Sequence, residues 1–359
     1  MIRKMLIANR GEIAVRVIRA CREMGIETVA VYSTADRECL HVQLADRAVC
    51  IGPPPSAKSY LNKDALITAA LRTGCDAVHP GVGFLSENAD FAREIEKSRM
   101  FWIGPKPDTI EMLGDKVRAR ETAQKSGLPI TPGSAGAIKT KEQAVETANK
   151  CGYPVIIKAA SGGGGKGMRI VWKEADLAEN LAIASSEAEA NFADGTVYIE
   201  KYLSDPRHVE LQVIGDGAGG VAILGERDCS VQRNHQKLIE ESPSQAVSDA
   251  MYDAMCAGAQ KLFSSLKYCG AGTIEFLVSG DQFYFMEVNA RVQVEHPVSE
   301  MVTGTDIIRE QITVCTGGKM SLPDGVLPVK GWAIEARINA RTPGLITKLR
   351  IPGGNGVRF

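Results

Sequence analysis

The sequence lacks the features that mark several classes of protein. No apolar run approaches the roughly 20 residues that span a bilayer, and the apolar stretch after Lys4 ends at Asn9, too early for a signal peptide. The 42 lysines and arginines balance 43 aspartates and glutamates, so no overall field draws the chain to nucleic acid or an anionic membrane. Nine cysteines include no C-x-x-C pair, and five histidines add no zinc spacing. We therefore expect a cytoplasmic protein with reduced thiols that binds neither nucleic acid nor membrane.

The composition instead suits a folded protein of two or three domains, because 44% of the 359 residues are hydrophobic and 24% are charged. The chain opens with an apolar strand at Lys4–Asn9, a helix whose apolar residues recur at i, i+3 and i+4 until Gly25, and a second strand at Thr28–Tyr32. This order of elements predicts a parallel α/β domain. The first turn, Asn9–Glu12, lacks the G-x-G-x-x-G pattern, so we do not expect dinucleotide binding.

A glycine-rich segment follows a change of pattern along the chain. The prolines Pro129 and Pro132 mark a domain entrance, after which helices mix with hairpins. Strands predicted at Tyr153–Lys158 and Met168–Trp172 flank Ser161–Gly167, whose sequence is SGGGGKG. The Walker A spacing and its following helix are both missing. Because each glycine costs about 0.5–1 kcal/mol relative to alanine in regular structure, we interpret the segment as a loop that closes over phosphates, with a flexible surface turn as the alternative.

A hairpin predicted at residues 273–288 carries two glutamates. If its turn is centred near Asp281, Glu275 faces Glu287 across the strand pair, and Asn289 lies two residues further along on the same face. Like charges placed opposite each other destabilise a sheet, so this pair calls for a counter-ion. Two carboxylates and an amide oxygen are ligands that suit Mg²⁺. Solvated charges on an exposed face are the alternative.

The hairpin leads directly into the run MEVNARVQVEHPVSE. Alternation places Asn289, Arg291, Gln293 and Glu295 on one face of an extended segment, beside the predicted metal site. A basic and an acidic group in this arrangement can bind a small anion and remove its proton. A local salt bridge between Arg291 and Glu295, worth at most about 1 kcal/mol on a surface, is the alternative.

Taken together, these segments resemble the biotin carboxylases of the ATP-grasp superfamily. The likeness covers nearly the whole chain and includes Arg10–Ala14, His79–Gly81, Glu226–Ser230 and Arg233–Lys237. It implies an α/β and α+β multidomain fold. In that fold, a Rossmann-like pre-ATP-grasp domain at residues 1–113 precedes an ATP-grasp fold at 114–316, whose glycine-rich lid spans about 131–203, and a truncated C-terminal domain at 317–359.

The resemblance implies a ligase that uses ATP, bicarbonate and two Mg²⁺ or Mn²⁺ ions to carboxylate biotin on a carrier protein, the first half-reaction of acetyl-CoA carboxylase. The implied ATP-binding residues are Lys116, Lys158, Gly164, Gly165, Lys166, Glu200, Lys201, Tyr202, Leu203, His208, His235, Glu275 and Glu287. The implied metal ligands are Glu275, Glu287 and Asn289. The implied bicarbonate-binding residues are Lys237, Arg291, Gln293, Val294 and Arg337. The implied catalytic residues are Lys237, Arg291, the general base Glu295, and Arg337, which also binds biotin and stabilises its enolate.

The implied partners are the biotin carboxyl carrier protein, carboxyltransferase subunits and a second copy of the chain. One departure from the family bears on the last of these. In the family an acidic stretch separates the Arg-Ile-Asn-Ala segment from a Pro-Gly-x-Ile turn, whereas here residues 341–346 follow Ala340 at once. An internal piece is therefore missing, and the family continues beyond the end of this chain with residues that supply dimer contacts. The shortening leaves turnover and dimerisation open, and we expect Ile346, Leu349 and Ile351 to be uncovered.

Three other functions stay open at this point. The chain can serve a pyruvate or propionyl-CoA carboxylase instead of an acetyl-CoA carboxylase. A different ATP-grasp ligase, such as a carbamoyl-phosphate synthetase-like enzyme, shares the lid and the metal glutamates. A non-catalytic ATP-binding remnant is also compatible with the shortened C-terminal part.

Overall fold

The computed structural model describes residues 2–134, 136–159, 168–192, 194–234, 236–340, 342 and 344–359. Within these ranges the chain forms three sheets. The predicted glycine loop Ser161–Gly167 lies outside the described residues.

The first sheet is parallel, as the strand and helix order predicts. Its strand order is β3-β2-β1-β4-β5. The strands are β1 Lys4–Ile7, β2 Glu27–Ser33, β3 Arg47–Gly52, β4 Ala77–His79 and β5 Phe101–Trp102. The accompanying helices are α1 Gly11–Glu23, α2 Leu40–Leu44, α3 Lys63–Thr73 and α4 Ala89–Lys97, with 3₁₀ turns at Thr34–Asp36 and Ser56–Lys58.

Alternation along β1 explains why helices cover both faces of this sheet. Met5 and Ile7 are buried against α1 residues, whereas Leu6 is buried in a cluster with residues of α3 and α4. Successive strand residues point to opposite faces, so a strand that is apolar throughout must be covered on both sides.

Two helices connect this sheet to the rest of the chain. They are α5 Pro107–Gly114 and α6 Lys116–Lys125. The side chain of Asp115 caps α6 by accepting hydrogen bonds from the backbone N–H groups of Val117 at 2.9 Å and Arg118 at 3.1 Å. This cap fixes the start of the helix at Lys116, one of the predicted nucleotide-binding residues.

The second sheet is small and antiparallel, in the order β7-β6-β8. Its strands are β6 Val155–Ala159, β7 Met168–Val171 and β8 Val197–Lys201. The helices α7 Lys141–Cys151 and α8 Leu177–Phe192 accompany it, with a 3₁₀ turn at Glu174–Asp176, and helices and strands share one separate hydrophobic cluster.

The third sheet is the largest of the described part and is mainly antiparallel. Its order is β13-β12-β9-β10-β11-β15, and β14 pairs with β10. The strands are β9 Arg207–Asp216, β10 Val221–Arg233, β11 Gln236–Ser242, β12 Cys269–Ser279, β13 Gln282–Asn289, β14 Gly325–Val326 and β15 Ala333–Ala336. The remaining helices are α9 Asp249–Ser265, α10 His296–Thr303 and α11 Ile307–Cys315.

The first and third sheets share a continuous core. One cluster of buried residues joins Ile7 and Ile18 of the N-terminal part to Ile214 of β9 and to Ile308 and Ile312 of α11. Because buried apolar side chains pack closely, this shared core holds the loops of the N-terminal sheet beside the third sheet.

The described surface has no membrane-spanning helix and carries exposed apolar side chains near residue 350. No helix in the described ranges is long and apolar enough to cross a membrane. The apolar side chains predicted to be uncovered near the C-terminus are exposed, with 71% of Ile346, 62% of Leu349 and 55% of Ile351 accessible to solvent.

Candidate active site

Polar side chains line one face of the third sheet. On β9, His208 and Glu210 alternate with the buried apolar residues Val209 and Leu211. Because strand side chains alternate between faces, this pattern sends the polar groups to one side of the sheet. A cavity of about 940 Å³ opens on that side, within the range that small-molecule sites occupy.

Most of the predicted site residues lie on the wall of this cavity, although the sequence places them on many different elements. The predicted residues that line it are Lys116, Lys158, Glu200, His208, Lys237, Glu275, Glu287, Asn289, Arg291, Gln293, Val294, Glu295 and Arg337.

Three predicted residues at the end of β8 and directly after it, Lys201, Tyr202 and Leu203, do not line the cavity. The ammonium of Lys201 donates to the backbone carbonyls of Gly152 at 2.9 Å and Tyr153 at 3.2 Å, at the end of α7. The backbone N–H groups of Lys201 and Tyr202 donate to the carbonyls of Pro132 and Pro154. Leu203 is likewise absent from the cavity wall. Their predicted role in binding the nucleotide stays a prediction.

Four further predicted residues, Gly164, Gly165, Lys166 and His235, lie outside the described residues.

The predicted acid pair forms, and a β-bulge sets its register. The hairpin turns at Gly280 and Asp281, so Ser279 pairs with Gln282, and Glu275 would face Met286 if the ladder were regular. A register shift between Glu275 and Phe276 places Glu275 opposite Glu287 instead. The two carboxylates therefore project from the same face of adjacent strands, as predicted.

Glu275 and Glu287 have opposite pKa shifts. Burial works to raise the pKa of Glu275, but the hydrogen bond from His208 and the charge of Lys237 hold it well below its usual range. Burial and the negative charge of Glu275 raise the pKa of Glu287, against the positive charge of Lys116. Positive charge therefore stabilises the ionised form of Glu275, whereas burial and repulsion from Glu275 destabilise the ionised form of Glu287.

Lys237 lies at the centre of three buried carboxylates. Its ammonium is 2.5 Å from Glu210, 3.1 Å from Glu275 and 2.6 Å from Glu295. Burial disfavours the charge, but Glu210 and then Glu275 raise the pKa of Lys237 above its ordinary value. The lysine therefore stays protonated across the range in which proteins are stable.

His208 also contacts the acid pair. Its Nε2 lies 2.9 Å from Oε2 of Glu275. Burial lowers the pKa of His208, but the hydrogen bond and the charge of Glu275 outweigh it and raise the pKa above the ordinary value. The imidazole is therefore protonated at a higher pH than a free histidine.

The segment after β13 brings four more predicted residues to the cavity, Arg291, Gln293, Val294 and Glu295, by a route that differs from the prediction. The strand ends at Asn289, and the chain turns before α10 begins at His296, so the segment is not extended throughout. Arg291 does not pair with Glu295. Its Nε lies 2.8 Å from Glu87 of the N-terminal part, and another of its nitrogens donates to Oδ1 of Asn289 at 2.7 Å.

Glu295 is held instead by two cations from other strands. Lys237 of β11 bonds to one of its oxygens at 2.6 Å, and Arg337, which follows β15, donates to the other at 2.9 Å. The Nε of Arg337 also donates to the fully buried Glu240 at 2.6 Å. Burial, opposed by Arg337, raises the pKa of Glu240, and burial together with Glu240 raises the pKa of Glu335, its cross-strand neighbour, to about 8.

A separate ion cluster lines the cavity on the side of the small sheet. Glu200 of β8 accepts hydrogen bonds from Lys158 of β6 and from Arg120 of α6, each at 2.5 Å. Arg120 also donates to the carbonyl of Thr131 at 3.1 Å. This cluster ties the small sheet to α6 across the cavity.

Comparisons with known proteins agree with this architecture. The family model "Biotin carboxylase, N-terminal domain" matches residues 1–110, and the model "Carbamoyl-phosphate synthase L chain, ATP binding domain" matches residues 115–322. Biotin carboxylase 1 of Bacillus subtilis is 54% identical over 368 aligned positions, which cover 100% of this chain and 82% of the relative. The chain belongs to the biotin carboxylase family.

Solved biotin carboxylase structures share the fold. The crystal structure of a biotin carboxylase–β,γ-ATP complex from Campylobacter jejuni is 48% identical, with a TM-score of 0.87 over 94% of this chain and 76% of that one. The biotin carboxylase domain of the 2-oxoglutarate carboxylase of Hydrogenobacter thermophilus, in complex with MgADP, ADP and bicarbonate, is 44% identical. Its TM-score is also 0.87, over 95% of this chain and 75% of that one.

One feature separates this chain from its biotin carboxylase relative. The alignment with the Bacillus subtilis protein has 368 positions against 359 residues here, so that relative has at least 9 residues without a counterpart within the aligned region. The sequence predicted a missing piece directly after Ala340, and that position stays a prediction.

Sequence reasoning missed several residues of this biotin carboxylase site. Arg120 and Glu87 contact predicted residues, and Glu210, Arg227 and Glu240 lie buried behind the cavity wall. One signal was available, since His208-x-Glu210-x-Gln212 repeats polar residues at period two within an otherwise apolar strand.

Proposed function

We propose that this protein uses ATP and bicarbonate to carboxylate the biotin of a carrier protein. The observation that carries the proposal is the position of Glu295, which is bonded to Lys237 and Arg337 and lies beside the acid pair Glu275 and Glu287 on the wall of one cavity. A base, two cations and a pair of acids are the groups that the activation of bicarbonate by ATP requires.

The nucleotide occupies the length of the cavity. Lys116, Lys158 and His208 line it and are the cationic groups for the triphosphate. Glu200, at the end where Arg120 and Thr131 also lie, takes the nucleoside. We also assign Gly164, Gly165 and Lys166 to the phosphates, because the backbone N–H groups of a glycine-rich sequence and a lysine suit anions.

The donor set fits the divalent metal ions that the family uses. Glu275 and Glu287 face each other from adjacent strands, and burial and the charge of Glu275 raise the pKa of Glu287. Such a pair gains a counter-ion from a hard cation. The amide of Asn289 lies against Glu275, with its nitrogen donating to Oε1 at 2.8 Å, and would supply its oxygen to the metal by turning over. These three residues would hold Mg²⁺ or Mn²⁺, which neutralises charge on the triphosphate.

Bicarbonate binds next to this site. Arg291, Gln293, Lys237 and the backbone at Val294 surround it, and Glu295 accepts its proton. A bicarbonate oxygen then forms a bond to the γ-phosphorus as the bond from that phosphorus to the β-bridging oxygen breaks, which gives carboxyphosphate and ADP. The positive charges of Lys237 and Arg291 stabilise the negative charge that develops on the transferred group.

Carboxyphosphate breaks down to carbon dioxide and phosphate, and the phosphate accepts the proton of the biotin ureido nitrogen. Arg337 stabilises the resulting enolate, and the nitrogen then bonds to carbon dioxide. Arginine suits this role because its guanidinium stays charged and offers two parallel donors. Its bond to Glu240 holds it toward Glu295 and so toward the bicarbonate position.

The partners follow from the reaction. We assign a biotin carboxyl carrier protein as the substrate and carboxyltransferase subunits as the consumers of carboxybiotin, with acetyl-CoA as the final acceptor. The acceptor is tested by loading carrier proteins of acetyl-CoA, propionyl-CoA and pyruvate carboxylases with ¹⁴C from bicarbonate. The highest kcat/KM is expected for the carrier of the acetyl-CoA enzyme, and a preference for another carrier would reassign the acceptor.

ADP formation in degassed buffer tests the function itself. We expect ADP formation that depends on bicarbonate and that free biotin stimulates. Glu295→Gln should lower the rate about 10²- to 10⁴-fold, the usual contribution of a general base. Glu146→Gln, on the exposed face of α7, is the control and should leave the rate unchanged. Equal ADP formation with and without bicarbonate, or MgATP binding in a calorimeter without turnover, would contradict the proposal.

A further inference from the structure

Arg227 lies in the middle of β10, directly behind the cavity wall. Its side chain is completely buried and does not line the cavity. Burying a guanidinium is costly unless each of its donors has a partner. The partners of Arg227 therefore show what this side chain holds in place.

All five N–H donors of the guanidinium are used. Nε donates to Glu210 at 2.7 Å. One terminal nitrogen donates to Gln212 at 2.7 Å and to Ser299 at 2.9 Å. The other donates to Gln293 at 3.0 Å and to Thr273 at 3.4 Å. These acceptors come from β9, β12, α10 and the segment before α10, so one side chain joins four parts of the fold.

The first consequence concerns Gln293. Arginine has donors and no acceptor, so the amide of Gln293 must turn its oxygen toward Arg227. Its nitrogen then faces Oε1 of Glu275 and donates to it at 2.8 Å. Without the guanidinium, the amide loses the group that fixes its direction. Arg227 thus sets which atom of the Gln293 amide points toward Glu275 and the cavity.

The second consequence concerns Lys237. One oxygen of Glu210 accepts from Arg227, and the other accepts from Lys237 at 2.5 Å. Burial works to raise the pKa of Glu210, but Arg227 and then Lys237 lower it below its ordinary value. Glu210 is therefore a buried bridge that holds the Lys237 ammonium between Glu275 and Glu295.

The third consequence concerns Glu295. Ser299 lies one turn along α10 from Glu295, which is the residue before the first turn of that helix. The bond from Arg227 to Ser299 therefore fixes the start of α10 against β10. The guanidinium thus reaches three of the groups assigned to bicarbonate. It contacts Gln293 directly, Lys237 through Glu210, and Glu295 through one turn of α10.

We propose that Arg227 is a positioning residue for bicarbonate activation, acting through Gln293, Glu210 and Ser299. The proposal rests on the function assigned above. The misplacement of reacting groups by about 1 Å can lower a rate about 10²-fold. The loss of the Arg227 guanidinium should therefore slow the step in which bicarbonate reacts. The nucleotide end of the cavity, around Glu200 and Lys158, has no bond to this network among the described residues and should be affected less.

Arg227→Lys tests the positioning role because it keeps the positive charge at residue 227 and removes most of the hydrogen bonds of the guanidinium. Lysine keeps a buried cation beside Glu210 but cannot reach acceptors on four elements, because it has a single donor nitrogen. We expect kcat/KM for bicarbonate to fall about 10- to 100-fold, with KM for ATP changed less than about threefold. Arg16→Lys is the control, since Arg16 is also a largely buried arginine bonded to two carboxylates, Glu300 and Asp306. It should lower the melting temperature without a selective loss for bicarbonate.

A double-mutant cycle tests the route. Gln293→Ala, Arg227→Lys and the double variant are compared by kcat/KM for bicarbonate, at a temperature well below the lowest melting point. If Arg227 acts through Gln293, Arg227→Lys should lower kcat/KM for bicarbonate less in the Gln293→Ala background than in the wild type. Multiplicative effects, or equal losses in the ATP and bicarbonate constants, would overturn the proposal. If Arg227→Lys does not fold, Ser299→Ala and Gln212→Met remove single bonds of the same fork, and unchanged bicarbonate constants in both would overturn it.

The outcome is separable from that of the proposed function. Wild-type protein without bicarbonate-dependent ADP formation refutes the function, whatever Arg227 does. Wild-type protein with that activity, and Arg227→Lys with the wild-type bicarbonate constants, refutes only the positioning role.

Discussion

Replacing Lys237 by methionine should destabilise the folded protein by several kcal/mol, at least about a third of the roughly 5–15 kcal/mol that keeps a typical domain folded. The ammonium of Lys237 lies 2.5 to 3.1 Å from the carboxylates of Glu210, Glu275 and Glu295. Only 12% of the lysine side chain is exposed, so solvent screens these contacts weakly. Removing one partner of a buried ion pair costs about 3–5 kcal/mol. We expect a loss of that size in the free energy of unfolding at pH 8, measured by urea denaturation.

The pH dependence of this loss follows from the carboxylates that stay behind. In the wild type Glu210 and Glu275 have lowered pKa values, so their stabilising effect is complete above their ordinary pKa and is lost as the pH falls through the lowered values. In Lys237→Met the lysine charge no longer offsets the effect of burial, so the folded-state pKa values of Glu210 and Glu275 rise. These carboxylates then take up protons at a higher pH, which removes the repulsion between them. The difference in the free energy of unfolding between Lys237→Met and the wild type should therefore become smaller as the pH falls from 8 to 5.

Lys150→Met supplies the matched control, because Lys150 pairs with Glu146 on an exposed helical face. We expect no measurable change for this variant. A Lys237→Met protein as stable as the wild type at pH 8, or a gap that does not change with pH, would refute the reasoning that Lys237 neutralises a buried acid cluster.

Three further substitutions give sharp outcomes. Arg337→Ala should lower biotin carboxylation about 10²- to 10³-fold while the calorimetric affinity for MgATP stays within about twofold; a parallel loss of both would contradict its assignment to the biotin step. Glu287→Gln removes a like charge from the acid pair, so the metal-free protein should melt at a higher temperature while the Mg²⁺ concentration for half-maximal rate rises; a variant that changes neither would contradict the metal site. Glu335→Gln should reduce the fall in stability between about pH 5 and pH 8, since the pKa of Glu335 is raised to about 8 and a raised carboxyl pKa gives stability that is lost as the pH rises through that value; equal slopes in urea denaturation at these pH values would count against it.

The sequence carried enough information to predict the acid pair but not how it forms. Alternation and a turn near Asp281 were sufficient to place Glu275 opposite Glu287. The bulge that actually produces this register is a local irregularity of the ladder, and nothing in the period-two pattern indicates it. The prediction assumed a regular ladder about Asp281, whereas the turn lies at Gly280 and Asp281 and the bulge supplies the one-residue shift that restores the pair.

Contacts between distant parts of the chain were the ones that could not be predicted. Arg291 bonds to Glu87, which lies 204 residues earlier, in a loop of the N-terminal sheet. The partners of Arg227 are 15 to 72 residues away. Such pairings depend on how the sheets pack, and hydrophobic periodicity reports on single elements only. The alternation that did predict Asn289 ended with the strand, because the chain turns there toward α10.

The transfer of an oxygen atom from bicarbonate to phosphate tests the central claim most directly. The protein is incubated with MgATP, biotin and ¹⁸O-labelled bicarbonate, and the inorganic phosphate is analysed by mass spectrometry. If Glu295 and Lys237 prepare bicarbonate to attack the γ-phosphorus, each phosphate released should carry one ¹⁸O atom from bicarbonate. Phosphate that acquires its new oxygen from water instead would show that the cavity hydrolyses ATP without activating bicarbonate.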